Sequence, residues 1–253
     1  MIEPMIAAAC AAGARIMEIY GAGCAIEIKS DGSPVTIADR EAERIILDRL
    51  AHSFPEAPVV AEEQASAGHV PALHGRFFLV DPLDGTRGFA DRTGEFTVNI
   101  ALIEAGAPIA GIVYAPESKL LYHGIVGQGA FRRLDSVDLP IQARLRSAGQ
   151  LAAIGSRNHR LAEDDSRLEA LGATSFTPSG SSLKFCTLAE GAADVYPRWG
   201  RTMEWDTAAG QAILEAAGGR VMAMDDAGKE TGPLRYGNVG RGFANPHFIA
   251  WGR

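Results

Sequence analysis

The segment Phe77-Phe78-Leu79-Val80-Asp81 constrains this chain most, because a short continuous apolar run breaks off there at a carboxylate. Such a run reads as a buried strand whose carboxyl end opens into a site. The next residues, Pro82-Leu83-Asp84-Gly85-Thr86, set a second carboxylate three positions after the first, at a Gly-Thr turn. A loop of this kind can direct both carboxylates at one hard cation. Magnesium suits it, since that ion takes oxygen ligands in a near-octahedral shell and keeps waters and substrate phosphate. If a helix follows, the backbone N–H groups of Gly85 and Thr86 can cradle a phosphate. Taken alone, an Asp-x-x-Asp loop is more often a solvated turn, so its company decides.

Helical and strand patterns interleave along the whole chain. Residues 2–20 read as an amphipathic helix with Arg15 and Glu18 on its polar side, stopped by Gly21 and Gly23. Residues 25–29 read as a strand, and the turn at 30–34 leads to Asp39, expected to be the N-cap of a helix carrying Ile45, Ile46, Leu47 and Leu50. Residues 96–104 and 109–115, joined by a turn, predict a hairpin, followed by strands at 120–126 and 129–134. This first part is α+β with a largely antiparallel sheet. From about residue 151 the pattern becomes α/β: a strand at 151–154, helices at 162–171 and 181–190, and a strand at 192–196. A last strong helix at 206–217 ends at Gly218-Gly219. We therefore expect an α+β lobe over residues 1–140 and an α/β lobe over 141–253.

With 24 Lys+Arg against 31 Asp+Glu in 253 residues, the net charge of -7 argues against broad binding to nucleic acid or to an anionic membrane. An anionic ligand would then need metal ions to offset the acidic charge. Cys10, Cys24 and Cys186 form no disulfide framework and no zinc spacing, so a reduced, cytoplasmic protein is expected. The apolar stretch 5–14 is too short to span a bilayer and follows Glu3, which makes it a poor signal peptide. The Asp81 loop finds its company in Glu62-Glu63, after the apolar Pro58-Val59-Val60-Ala61, and in Asp206, after Trp205. Each alone has a plain reading: a solvated strand end for the glutamates, an N-cap for Asp206 and for Asp39. Together these acids, each at the junction of an apolar element, fit a two- or three-metal phosphoryl site.

The ordered blocks Lys29-x-Asp31-x-Ser33-Pro34-Val35-Thr36-x-Ala38-Asp39, Glu62-Glu63, Asp81-Pro82-Leu83-Asp84-Gly85-Thr86-x-x-Phe89 and Trp205-Asp206-x-Ala208-Ala209-Gly210 resemble the signatures of the inositol monophosphatase superfamily, magnesium-dependent and lithium-sensitive phosphatases. The resemblance covers nearly the whole chain. Residues 94–103, the block Gly180-Ser181-Ser182-Leu183-Lys184-Phe185-Cys186, the triplet Tyr196-Pro197-Arg198 and the ending Asn245-Pro246-x-Phe248 are similar to its 3'(2'),5'-bisphosphate nucleotidase branch. That branch removes the 3'-phosphate of 3'-phosphoadenosine 5'-phosphate to leave AMP, a step tied to sulfate assimilation. Arg87-Gly88 departs from the Lys-Glu usual there.

The resemblance implies a layered αβαβα sandwich of the sugar-phosphatase type, with the metal-binding loops in the first lobe and the nucleotide-binding residues in the second. It implies two or three magnesium ions held by Glu62, Asp81, Asp84, Asp206 and the carbonyl of Leu83. The catalytic set would be Asp39, Thr86 and Glu62, of which Asp39 and Thr86 orient and deprotonate the attacking water. Gly85, Thr86, His159, Ser181, Lys184, Arg198 and Asp206 would bind the substrate, a small phosphate ester and not a nucleic acid. Read singly, Lys184 is a surface lysine, Arg198 a rim residue and His159 a turn residue. The resemblance also allows a homodimer and a weak peripheral membrane contact. The alternative activity is that of a generalist phosphatase for inositol, sugar or histidinol phosphates.

Overall fold

The computed structural model describes residues 1–28, 34–146, 149–157 and 163–253. His159 and most of the turn expected at 30–34 lie outside the described residues. The chain opens with α1 (Ile2–Ala22), the antiparallel pair β1 (Ile26–Ile28) and β2 (Pro34–Thr36), and α2 (Ile37–Ser53). Then come β3 (Val59–Ala61), α3 (Glu62–Ser66), β4 (Arg76–Asp84), α4 (Thr86–Ala90), β5 (Thr97–Glu104), β6 (Ala107–Ala115), β7 (Leu120–Ile125), β8 (Gly129–Leu134) and β9 (Val137–Ile141). Strands β3 to β9 form a seven-stranded sheet in chain order, antiparallel except where β3 meets β4.

The rest of the chain builds a second sheet. It holds β10 (Ala152–Ser156), α5 (Asp164–Ala170), β11 (Ser175–Ser179), α6 (Leu183–Ala189), β12 (Val195–Arg198), α7 (Glu204–Ala216), β13 (Arg220–Met224), β14 (Glu230–Pro233) and β15 (His247–Trp251). Its order is β11-β10-β12-β15-β13-β14, with β10 parallel to both its neighbours.

Side-chain alternation on β4 explains the layering. Phe78 and Val80 join a core with α1 and α2, whereas Phe77 and Leu79 face the opposite way into a core with α6, α7 and the inner face of the second sheet. A third core, including Leu151, Val195 and Ile249, packs Leu168 of α5 on the outer face of the second sheet. The result is helix, sheet, helix, sheet, helix, the αβαβα sandwich expected. α1 is long and apolar enough, by length and composition, to cross a membrane, yet Met5, Ala8, Ala9, Ala12 and Ile16 are fully buried in the core that it shares with α2.

Three helix starts differ from expectation. The N-cap of α2 is Thr36, and Asp39 is the third helical residue, closing a capping box by accepting from the Thr36 backbone. α7 likewise begins at Glu204 with Asp206 in third place. The helix expected from residue 181 starts at Leu183. Strand β11 was not foreseen, because Ser-Phe-Thr-Pro-Ser at a sheet edge carries no apolar alternation.

α7 fills the middle layer by lying close on the seven-stranded sheet. A Cβ at Gly111 of β6 would stand 2.4 Å from the carbonyl oxygen of Ala209 and 2.9 Å from the Cβ of Ala212. Neither atom is the end of a flexible side chain, so an added methyl must push the helix away. Gly111→Ala is therefore expected to cost about 1–3 kcal/mol and to lower the calorimetric Tm by roughly 3–10 °C. An unchanged Tm would contradict the close helix–sheet approach.

Candidate active site

The carboxyl end of β4 is shaped by a bulge. Asp81 pairs with Asn99 and Asp84 with Thr97, so three steps along β4 match two along β5. In a regular strand, residues three apart point to opposite faces; the extra residue cancels that and turns both carboxylates to one side. Pro82, which has no N–H to offer a ladder, sits inside the interruption. Gly85 follows at φ 90°, and a Cβ there would lie 2.7 Å from the Glu95 carbonyl oxygen, so only glycine fits. α4 then begins at Thr86, the helix on which the phosphate-cradle expectation depended.

Each aspartate of the cluster commits one oxygen to the protein. Asp81, 2% exposed, accepts the Leu83 N–H at Oδ1 (3.0 Å). Asp84 accepts Ser182 Oγ at Oδ2 (2.9 Å), with longer contacts from Asn99 Nδ2 (3.4 Å) and Thr97 Oγ1 (3.5 Å). Asp206 accepts the Met203 N–H at Oδ2 (2.8 Å). The second oxygen of each accepts no hydrogen bond from the described residues. Burial holds the Asp81 and Asp206 carboxyls well above the usual range; Glu62, Asp84 and Asp206 push Asp81 further, and Asp84 and Glu62 push Asp206.

Glu62 opens α3, and that turn is held by a residue the sequence reading missed. The Glu43 carboxylate on α2 accepts the N–H groups of Glu63 (2.7 Å) and Gln64 (3.1 Å), although burial pushes its pKa up to about 7. A readable signal existed: Glu43 follows Asp39 by four positions, on the helix face of Ala42, Ile46 and Leu50. Asp39 is 1% exposed and accepts Thr36 N–H and Oγ1 at Oδ2, both at 2.7 Å. Burial raises its pKa against those bonds. Asp39 stands behind the cleft rather than in its wall; Thr86 connects them, its Oγ1 lying 3.1 Å from Asp39 Oδ1 and 3.1 Å from the Leu83 carbonyl.

A cleft of about 440 Å³ is lined by every predicted site residue except Asp39 and His159. It brings the acids together with two cations that are not on the surface. Lys184 is 6% exposed: its Nζ donates to the Ser181 carbonyl and lies 5.4 Å from the Tyr196 ring centre. Burial lowers its pKa to about 8, with Asp84 opposing and Arg198 assisting. Arg198, at the end of β12, is 8% exposed and donates to the Arg201 carbonyl at 3.1 Å. Buried positions thus replace the surface and rim readings for both. Ser181 lies two residues ahead of α6 rather than at its start, at φ 44°. Glu95 also lines the cleft, paired with Arg157 at 2.8 Å across the two sheets.

Among the described residues, no three His, Cys, Asp or Glu side chains are gathered tightly enough to hold an ion as they stand. The donor chemistry nonetheless fits a hard cation. The acids are oxygen donors only, Asp84 and Glu62 raise the pKa of Asp81 and Asp206 at one cleft, and three of the acids keep an oxygen that no described residue uses.

Comparison with known proteins agrees with this geometry. The model of the inositol monophosphatase family matches residues 1–249. The 3'(2'),5'-bisphosphate nucleotidase CysQ of Salmonella typhimurium is 46% identical over 87% of this chain and 89% of its own length. CysQ of Escherichia coli (strain K12) is 43% identical over 98% of both chains. Among solved structures, CysQ from Bacteroides thetaiotaomicron, a bacterial member of the inositol monophosphatase family, superposes with a TM-score of 0.78 at 36% identity, covering 99% of this chain and 96% of that one. A conserved fold, a whole-length family match and a carboxylate-lined cleft coincide, and the chain belongs to the inositol monophosphatase family.

Proposed function

We propose that this protein is a magnesium-dependent 3'(2'),5'-bisphosphate nucleotidase: water displaces the 3'-phosphate of 3'-phosphoadenosine 5'-phosphate to give AMP and inorganic phosphate, clearing a by-product of sulfate assimilation. One observation carries the reading. A single cleft joins a carboxylate cluster suited to cations with two buried cationic side chains suited to a second phosphate. The names and high identity of the CysQ relatives support it.

Glu62, Asp81, Asp84, Asp206 and the carbonyl of Leu83 would hold two or three magnesium ions. When bound, the ions supply Lewis-acid charge that acidifies water and offsets charge on the phosphoryl oxygens. The chain's own residues handle the proton. With its hydroxyl proton on the Asp39 side, Thr86 Oγ1 keeps a lone pair for the proton of the attacking water. As water attacks phosphorus in line, that proton passes to Thr86 Oγ1 while the Thr86 proton passes to Asp39 Oδ1. The P–O bond to the ribose 3'-oxygen breaks, and the leaving oxygen takes a proton from solvent. The raised pKa of Asp39 makes it a stronger base than a surface aspartate. No covalent phosphoenzyme is needed. Lys184 and Arg198 hold the 5'-phosphate by charge-assisted hydrogen bonds, with Ser181 beside them.

Phosphate release should be compared as kcat/KM for 3'-phosphoadenosine 5'-phosphate, inositol 1-phosphate, histidinol phosphate and fructose 1,6-bisphosphate. A preference of about a hundredfold for the bisphosphonucleotide, roughly 2.7 kcal/mol of transition-state binding, together with loss of all turnover on exhaustive chelation, is expected. A flat profile would leave a generalist phosphatase, and turnover without metal would sink the mechanism. Lys184→Ala or Arg198→Ala should raise KM for the bisphosphonucleotide about 10- to 100-fold and leave a simple aryl phosphate within about twofold.

Lys184 also sets a pH dependence. Its charged form binds phosphate, so AMP affinity should fall as pH rises through about 8. Asp84, Asp206 and Glu95 hold the proton on and Arg198 drives it off. Lys184→Arg, whose guanidinium stays charged, should remove that step from a calorimetric AMP titration.

A further inference from the structure

Three hydrogen bonds between the layers meet at one buried hydroxyl. Ser182, 2% exposed, immediately precedes α6. Its Oγ lies 2.9 Å from Asp84 Oδ2, 2.7 Å from the backbone carbonyl of Asp206 and 2.9 Å from Asn99 Nδ2. Asp84 and Asn99 belong to the seven-stranded sheet, while Asp206 sits in the first turn of α7. A hydroxyl has one proton to give. The Asn99 amide donates to its oxygen, and the proton must choose between the Asp84 carboxylate and the Asp206 carbonyl.

The Asn99 amide shows which group this cluster serves. Its Nδ2 faces both Ser182 and Asp84, while its Oδ1 is buried with no hydrogen-bond partner. Turned the other way, the oxygen would oppose the Asp84 carboxylate. A half-satisfied buried amide is tolerated where it supports a charge. All three side-chain donors to Asp84 converge on Oδ2, which leaves Oδ1 uncommitted. Ser182 is also only two residues from Lys184, so the hydroxyl that holds Asp84 also anchors the start of the helix carrying that lysine.

We propose that Ser182, supported by Asn99, is a positioning residue that fixes Asp84 through Oδ2, leaves Oδ1 to the cation, and couples cation binding at Asp84 to anion binding at Lys184. This rests on the metal-phosphatase reading. With Asp84 uncompensated, its full charge makes it the stronger acceptor and keeps the hydroxyl proton on it. With that charge offset by a cation, the Asp206 carbonyl competes for the proton, and the tie between β4 and the α6–α7 layer changes. The coupling must be reciprocal: magnesium alters AMP affinity by the factor by which AMP alters magnesium affinity.

Calorimetry reads this without turnover. Magnesium is titrated with and without AMP, and AMP with and without magnesium, into the wild-type protein and the variants Ser182→Ala, Ser182→Thr and Asn99→Ala. Ser182→Ala is expected to weaken magnesium binding about tenfold and to reduce the coupling factor, with AMP affinity in the absence of magnesium changed less than about twofold. Ser182→Thr keeps the hydroxyl and should restore both quantities. Asn99→Ala, also keeping it, should shift them in the same direction as Ser182→Ala but less, so the test stands even if threonine does not fit. Unchanged magnesium affinity and coupling in Ser182→Ala would overturn the proposal. So would an equal loss of AMP affinity with and without magnesium, which marks a merely structural role. A wild-type protein that binds no magnesium would instead overturn the metal reading itself.

Discussion

Asp81, Asp84 and Asp206 line one cleft in which burial and the neighbouring carboxylates Asp84 and Glu62 disfavour the ionisation of Asp81 and Asp206. Acids in this state call for positive charge from outside, and the cleft that they line is open to it. Each of these aspartates is pinned through one oxygen by a nearby N–H or O–H group. None is neutralised by an adjacent arginine or lysine ion pair among the described residues. Lys184, which lines the same cleft, instead loses basicity by burial and bonds to a carbonyl.

The two sheets contribute unequal chemistry. The seven-stranded sheet supplies the rigid bulge that turns Asp81 and Asp84 to one side, together with the Thr86–Asp39 pair that can carry a proton. The second sheet supplies Arg198 at the end of β12, with Lys184 on the helix beneath it. α7 joins them, because its first turn carries Asp206 and its length packs on the glycine-lined face of the first sheet. Asp81 and Asp84 come from the first sheet and Arg198 from the second, while the helical layer between them brings both Asp206 and Lys184 to the same cleft.

Much of this was legible in the chain. The apolar run before Asp81 announced a buried strand ending in a site, and Glu62, Asp81, Asp84 and Asp206, each at an element junction, do meet at one cleft. The error at Asp39 was one of offset: Thr36-x-x-Asp39 is a capping-box spacing, so the helix start was readable. At α7 no such signal exists, since the N-cap is Met203. The burial of Lys184 was not legible, because it depends on Tyr196 and on the α7 layer, which are distant in sequence. Asn99 lies inside an apolar strand, Ser182 just ahead of α6, and Glu43 on the buried face of a helix otherwise rich in charge. An amide in the middle of Thr97-Val98-Asn99-Ile100-Ala101 is itself a sign that something buried requires a donor.

Folding leaves the clustered carboxylates in want of a divalent cation. The most direct measurement is the Tm of the protein as a function of magnesium concentration at constant ionic strength, with sodium chloride as compensating salt. Binding to the folded chain alone stabilises it by about 2.7 kcal/mol at a hundred times Kd, so Tm should climb steadily with the logarithm of magnesium concentration, and the climb should flatten in Asp84→Asn. A Tm indifferent to magnesium across the millimolar range would mean that the carboxylates hold no cation.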